Sequence, residues 1–378
     1  MALPSPPPRH AVPLRILVVS TPVGALGSGR GGGVELTATA LVAGLLARGH
    51  QLTVLAAAGS VLPLSCAGAD LWLERGVDQP SWQHRPRQAP VEIPPDALLP
   101  RLWRRALAEQ ERFDLLLNLA YDWLPLWLTP FTSTPLAHLV SMGSVGEAMD
   151  QMIAEIARSH PRHLAFHTAA QAADFDLPEP PRVLGNGFDL ERYQLQQEPE
   201  AVLGWAGRIA PEKGLEDAAA VAASLGLPLR IWGLREDEAY AARVEASVPP
   251  GTLQWRGFLP TAQLQAELGR CLVLLNTPKW NEAFGNVVVE AMACGVPVAA
   301  YARGGPAELV RQGVNGALAA PDDRAALAAA AERAMALDRA GCRRWVEQHC
   351  SQAAFAERME AWLLELLQRQ GPATRSSP

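Results

Sequence analysis

Cysteine is scarce and follows no motif: Cys66, Cys271, Cys294, Cys342 and Cys350 are the five in 378 residues, with no C-x-x-C pair among them. An odd, scattered set excludes a disulfide framework and fits a reducing compartment, so a cytoplasmic protein is expected. Long apolar runs are missing too. No stretch reaches the roughly eighteen uninterrupted apolar residues of a membrane-spanning helix. The opening MALPSPPPRHAVP, with four prolines before residue 10, lacks an apolar h-region, so neither signal peptide nor anchor is expected. Positive charge is in deficit. The 33 Lys and Arg against 39 Asp and Glu leave a formal charge of -6, which excludes general affinity for nucleic acid and leaves room for a local basic pocket. No basic amphipathic stretch marks docking on an anionic membrane, so membrane association is not expected. No repeat of solenoid or propeller period is present.

What is there is a chain long enough for two domains, 49% apolar and 19% charged, as in ordinary globular proteins. From Arg15 onward, short apolar runs alternate with helical patterns, the signature of βαβ units on parallel sheets. Strands are expected at 15–19, 52–56, 113–119, 135–141 and 164–166, with 34–47 the clearest helix between them. A second series follows at 202–206, 229–232, 253–256, 271–275, 296–301 and 316–319. The polar stretch 185–199 is the linker candidate. The expected organisation is a disordered extension at 1–13, a first Rossmann-like domain at 14–187, a second at 188–350, a helix at 351–370 that crosses back to the first domain, and a disordered tail at 371–378. Ligands of open α/β sheets bind beyond the carboxyl ends of the strands, so the loops there are the places to search.

The most informative segment is WNEAFGNVVVEAMACGVP, from Trp280 to Pro297. Glu282 falls just before a helix expected over 284–294, and Glu290 lies in its second turn. Two glutamates so spaced also suit a solvated helix face; on one edge of a cleft, as acceptors only, they suit neighbouring sugar hydroxyls. Amides of Gly285, Asn286 and Val287 at the helix start, beside Phe284, could hold phosphate oxygens. Upstream, GRIAPEKG from Gly207 to Gly214 follows a strand and leads into a helix. There Arg208 offers a planar fork and Lys213 a compact ammonium, which could share one diphosphate. In the first half, GALGSGRGGGVE from Gly24 to Glu35 follows the first strand. It is not a P-loop, since no Lys-Ser or Lys-Thr pair follows. Its glycines permit close approach of a ligand to backbone amides.

The string E-x-F-G-x-x-x-x-E-A-M-A-x-G-x-P-V, read from Glu282 to Val298, resembles the E-x7-E signature of glycosyltransferase family 4, a set of retaining enzymes with the GT-B fold. G-R-x-x-x-E-K-G at 207–214, NGFDLERY at 186–193 and the G-G-x-x-E turn at Gly304, Gly305 and Glu308 resemble further family motifs. The likeness covers nearly the whole chain and is strong from 185 to 320. It implies two facing Rossmann-like domains with an interdomain cleft and a nucleotide-sugar donor in the second domain. It implies that Glu290 binds the ribose and Glu282 the hexose, and that Arg208 and Lys213 hold the pyrophosphate and stabilise the leaving nucleoside diphosphate. Arg208, Lys213 and Glu282 are thus the catalytic candidates. For the glycine loop, the likeness implies that Gly31, Gly32 and Gly33 face the donor phosphate, with Glu35 toward the acceptor. More narrowly, STPVGALGSGRGGGVELT and HQLTVLAAAGS are similar to enzymes described as UDP-glucose:tetrahydrobiopterin glucosyltransferases. That likeness implies UDP-glucose as donor, a small pterin acceptor and no cofactor or metal.

Where the family often carries a histidine near the reacting sugar carbon, the register here places Ser141, followed by Met142. Either a backbone group replaces the histidine, or His138 serves, or the chemistry needs no such residue. Trp123 and Trp127, at helical spacing, are expected in the core, with Trp123 the alternative platform for acceptor stacking. His160, His163 and His167 lack the spacing of a zinc site, and the D-F-D of Asp174 and Asp176 is expected to be a surface turn. Rival readings are hexosyl transfer to a lipid, carotenoid or polysaccharide, a non-catalytic nucleotide-sugar-binding protein, and a nucleotide-sugar epimerase. The sequence leaves oligomeric state open.

Overall fold

The computed structural model describes residues 13–29 and 32–368. Of the disordered ends expected at 1–13 and 371–378, all but Pro13 lie outside the described residues, as does the donor contact chosen at Gly31. The chain divides into two compact units, one formed by the chain up to Phe188 together with the segment from Gln352, the other by Asp189–Ser351.

The first unit runs β1 (Arg15–Val19), α1 (Gly33–Ala47), β2 (Gln51–Ala57), β3 (Asp70–Glu74), α2 (Leu98–Glu109), β4 (Leu115–Asn118), α3 (Trp123–Leu128), β5 (Leu136–Val140), α4 (Glu147–Ser159), β6 (Leu164–Phe166) and α5 (Ala169–Ala172). Its six strands form one sheet in the order β3-β2-β1-β4-β5-β6. Every pairing is parallel. Helices on both faces of such a sheet bury its central strands twice over, which is why β1 reads as an unbroken apolar run with Ile16 to Val19 all inaccessible to solvent. The strand β3 was not expected from sequence. It lies at the sheet edge, and its DLWLE is only partly covered, so it shows neither the apolar run of a central strand nor a clean alternation.

The second unit runs β7 (Leu203–Ala206), α6 (Leu215–Leu225), β8 (Leu229–Trp232), α7 (Glu238–Ala246), β9 (Leu253–Gly257), α8 (Thr261–Leu268), β10 (Val273–Asn276), α9 (Asn286–Ala293), β11 (Val298–Tyr301), α10 (Gly304–Leu309), β12 (Gly316–Ala319), α11 (Arg324–Met335) and α12 (Arg339–His349). Its sheet, again all parallel, has the order β12-β11-β10-β7-β8-β9. Both sheets therefore share one topology: the first strand of each unit sits beside its fourth, and the chain winds outward in both directions from that pair. This is the switch point at which doubly wound sheets bind ligands.

The last helix, α13 (Gln352–Gln368), belongs to the first unit. Small residues let it lie close. A Cβ on Gly44 of α1 would stand 2.7 Å from Ala356 Cβ, and one on Gly187 2.7 Å from the Phe355 ring. Phe355, Met359, Trp362 and Leu363 join the core shared by α1, β1 and β2, and the Trp362 indole donates to Arg162 O at 2.8 Å.

One aromatic residue, Trp127, departs from expectation. Trp123 and Trp127 stack at 5.8 Å between ring centroids, and Phe131 adds to Trp127 at 4.8 Å, yet Trp127 is 42% and Phe131 63% exposed. The short α3 buries Pro125, Leu126 and Leu128 instead; Trp127 shares a face of α3 with Trp123, four positions earlier, and stands at its exposed end, so the core expectation fails for Trp127. All five cysteines are buried and none is in a disulfide among the described residues. No helix among the described residues is long and apolar enough to cross a membrane.

Candidate active site

In the second unit, the loops after β7 and β10, at the switch point, carry the charged residues. Lys213 Nζ lies 2.6 Å from Glu282 Oε2 and 4.9 Å above the Trp280 ring, whose Nε1 donates to the same carboxylate oxygen at 3.2 Å. Arg208 bridges Glu212 at 2.8 Å and Glu236 at 2.6 Å. Each cation of the site is thus matched by carboxylates of its own unit, and an anionic ligand must compete with them.

Two glycine contacts bring these loops together. Gly214, with φ of 65°, ends the 3-10 turn Pro211–Lys213 and opens α6. A Cβ there would stand 2.1 Å from Thr277 O. The Thr277 hydroxyl donates to Lys213 O at 3.1 Å and accepts from the Trp205 indole at 3.1 Å, while Lys279 N donates to Glu212 O at 2.8 Å. At the far side of the loop, the start of α10 closes on Glu282. Gly305 N donates to Glu282 O at 2.7 Å, and Cβ atoms on Gly304 and Gly305 would fall 2.5 Å from Glu282 N and 2.3 Å from Phe284 O. The G-G-x-x-E turn is a clamp on the loop that presents Glu282. Gly214→Ala combines left-handed strain with overpacking, and is expected to cost about 2–4 kcal/mol. For a unit of this size that is a fall of about 5–15 °C in the melting temperature of the second unit, read by calorimetry.

Below the loops, Asp217 is an ionic anchor. Its carboxylate accepts from Lys279 Nζ, from the Tyr301 hydroxyl at 2.7 Å and from Arg324 Nε at 2.6 Å. Burial raises its pKa, but hydrogen bonds from Lys279, Tyr301 and Arg324 outweigh this and leave it below the usual carboxylate value. Lys279 also reaches Asp322 at 2.8 Å, and Arg303 ties Pro278 O at 2.8 Å to Asp322. Lys279, Arg303 and Asp217 fix the backbone from 277 to 282, a role that the sequence reading did not assign.

Glu290 sits in α9, whose start at Gly285 has φ of 96°. It is buried, and Tyr193 Oη donates to its Oε1 at 3.2 Å. Burial raises the carboxyl pKa, and the Tyr193 hydrogen bond pulls it part of the way back. Tyr193, the last residue of NGFDLERY, was not nominated. Only part of its signal was available, an aromatic hydroxyl closing a motif; its contact with Glu290 joins residues 97 positions apart.

In the first unit, a cavity of about 390 Å³ opens at the carboxyl ends of β1, β3, β4 and β5. Thr21 to Val23, Asp78 to His84, Tyr121, Asp122, Ser141 and Met142 line it, with Val34 of α1. Of the acceptor candidates, Ser141 and Met142 are in the wall; Trp123 and Glu35 are not. Glu35 turns inward and accepts from Gly27 N at 2.7 Å and Gly29 N at 3.2 Å, holding the glycine loop in shape. Gly32 and Gly33 open α1, with φ of 57° at Gly32. The aromatic wall is Trp82, whose Nε1 donates to Asp122 Oδ2 at 3.1 Å. His138 does not reach the cavity: it is 1% exposed within β5, its ring bonded to Thr129 Oγ1 at 2.8 Å and Asn118 at 3.2 Å. Burial lowers its pKa to about 3.

His163 bonds to Leu136 O and His167 to Gly185 O, and no group of three or more His, Cys, Asp or Glu able to hold a metal occurs among the described residues. Asp174 and Asp176 diverge, to Ser144 N and Arg158.

Residues 189–354 match the family model described as Glycosyl transferases group 1, so the second unit carries a domain of that group. Among curated proteins, the 2-deoxystreptamine glucosyltransferase of Streptomyces kanamyceticus is 37% identical over 151 residues, 38% of this chain and 39% of that protein. The D-inositol 3-phosphate glycosyltransferase of Segniliparus rotundus is 32% identical over 230 residues, 55% of this chain and 51% of that one. The chain thus spans between two fifths and half of the length of these relatives. Two solved structures resemble nearly all of it. AviGT4, a glycosyltransferase involved in avilamycin A biosynthesis, has a TM-score of 0.70 at 20% identity, covering 94% of this chain and 99% of that one. Anabaena Alr3699/HepE in complex with UDP and glucose has a TM-score of 0.69 at 19% identity, covering 93% and 99%. The fold, with its two six-stranded parallel sheets, is GT-B.

Proposed function

We propose that the protein is a retaining, nucleotide-sugar-dependent hexosyltransferase that moves glucose from UDP-glucose to a small acceptor, of which tetrahydrobiopterin is the first to test. One observation carries the reading: Lys213 and Glu282 meet at 2.6 Å at the switch point, with Glu290 on the helix that follows. That set pairs a cation for a diphosphate with carboxylates for sugar hydroxyls. In the proposed reaction the bond from the anomeric carbon to the diphosphate oxygen breaks, and the acceptor oxygen bonds to the same face. The acceptor's proton passes to the departing diphosphate, whose growing negative charge Arg208 and Lys213 offset. No metal or cofactor enters this scheme, and the reduced, buried cysteines accord with a cytoplasmic setting.

Mass spectrometry of the reaction with UDP-glucose and tetrahydrobiopterin, with UDP followed in parallel, tests it. A pterin one hexose heavier, with equal UDP, supports donor and acceptor together. UDP release without that product keeps the transferase and rejects the pterin. The names of the relatives bring two other acceptors into the assay, 2-deoxystreptamine and D-inositol 3-phosphate.

Glu290→Ala is expected to weaken UDP binding about tenfold or more, the worth of a charge-assisted hydrogen bond to ribose. Titration calorimetry reads this, and unchanged affinity would refute the ribose role.

A further inference from the structure

Glu290 stands where a carboxylate is costly to keep. It lies in the last turn of α9, where the helix dipole opposes negative charge, and it is buried. Burial raises its pKa, and the Tyr193 hydrogen bond and the Arg192 charge pull it only part of the way back. The Tyr193 hydroxyl is itself pushed up by burial and by the Glu290 charge, so it keeps its proton and is the donor. Its bond to Oε1, at 3.2 Å, uses one of about four acceptor positions on a carboxylate.

The turn that carries Tyr193 is fastened to the same end of α9. Arg343 of α12 donates from Nη1 to Ala293 O at 2.8 Å and to Tyr193 O at 2.7 Å, and from Nη2 to Leu190 O at 3.0 Å. Ala293 is the last residue of the helix, where carbonyls lack intrahelical donors and a cation suits the dipole. Further along, Gln196 N donates to Cys294 O at 3.0 Å, and Arg339 Nε donates to Gln196 O at 2.6 Å. A Cβ on Gly295, whose φ is 83°, would stand 2.4 Å from Leu195 Cδ1. Backbone on both sides of Tyr193 is thus pinned to the end of α9 without help from the phenol. A phenylalanine would fill the same space. What the hydroxyl adds is a fixed donor to a carboxylate that burial and the dipole both disfavour.

Resting on the reading of Glu290 as the ribose contact, we propose that Tyr193 is a positioning residue that sets the preference of the donor site for ribose. Its hydroxyl holds one oxygen of Glu290 so that the carboxylate is presented to the vicinal 2′ and 3′ hydroxyls, and Arg343 keeps Tyr193 in register with α9. Without that bond the carboxylate turns or takes up a proton, and either change removes acceptors from ligand hydroxyls in particular.

Calorimetry on the full chain compares UDP with 2′,3′-dideoxyuridine 5′-diphosphate, which lacks only the two hydroxyls. The unmodified protein is expected to prefer UDP about tenfold or more, and Glu290→Ala to erase the preference. Tyr193→Phe should cut the preference to about threefold or less and leave the dideoxy affinity within about twofold. Arg343→Lys keeps a charge at the helix end but loses the fork that spans three carbonyls, so it too should reduce the preference. If Tyr193→Phe does not fold, an undiminished preference in Arg343→Lys overturns the inference. A preference that survives Tyr193→Phe, while Glu290→Ala erases it, sinks the inference and keeps the ribose reading. Equal weakening of both nucleotides by Tyr193→Phe makes the hydroxyl merely structural and also sinks it. No preference in the unmodified protein, or one that survives Glu290→Ala, removes the ribose reading and the inference with it.

Discussion

Replacing Lys213 by alanine should lower kcat by about 10²–10³-fold with a much smaller change in UDP-glucose affinity, because its charge is worth most when the diphosphate departs. The geometry explains why this lysine and not the other. The chain has only two lysines, Lys213 and Lys279. Lys279 is spent on Asp217 and Asp322, whereas Lys213 is held on the Trp280 face and, among the described residues, is ion-paired with Glu282 alone. A diphosphate that draws Lys213 away leaves Glu282 free to accept hydroxyl donors, still oriented by the Trp280 indole. Steady-state kinetics separates the two effects: equal losses in kcat and kcat/KM place Lys213 in the transition state. A normal kcat would remove it from the chemistry.

The second large effect is on stability and involves none of the candidate site residues. Glu360 of α13 is 1% exposed, bonded to Arg48 through Oε2 and to His50 Nε2 through Oε1 at 2.9 Å. The other ring nitrogen of His50, Nδ1, accepts from Leu14 N at 3.2 Å, so the proton is on Nε2 and the imidazole donates to Glu360. Glu360→Ala leaves the Arg48 guanidinium, only 12% exposed, without its partner, and is expected to cost the first unit about 3–5 kcal/mol. Denaturant unfolding followed by tryptophan fluorescence reads this as an earlier midpoint. Little change would mean that Arg48 swings out to water and that apolar packing alone docks the helix.

These two residues differ in how far they could be read in advance. Lys213 stands in a motif whose order follows from chemistry, a strand, then a turn with paired charges, then a helix, so the sequence singled it out. Glu360 stands in an amphipathic pattern, and nothing local says that its partner lies 312 positions earlier in Arg48. The same contrast runs through the sites. Glu282 and Glu290 were legible from their spacing and their neighbours. Tyr193, Thr277, Lys279 and Asp217, which hold or meet them, come from separate loops. In the first unit, the cavity wall holds Ser141 and Met142, which the sequence reading named, and Trp82 where that reading named Trp123. Both are tryptophans beside short helical turns, and only the packing shows that the loop after β3 brings Trp82 to Asp122.

Local patterns by themselves determined two series of parallel strands with helices between them, because apolar runs and helical periodicity are set by neighbours a few residues apart. They also determined the chemistry of the charged loops after β7 and β10. The strand β3, half-exposed at a sheet edge, left too weak a pattern to be seen. Only the tertiary structure decided which loops meet at each switch point, that Gly214 and Gly305 allow the close approach that sets Lys213 against Glu282, that His138 is sealed in the core, and that Trp82 rather than Trp123 lines the first unit's cavity. Each of these depends on contacts between residues distant in the chain, and local propensity carries no record of them.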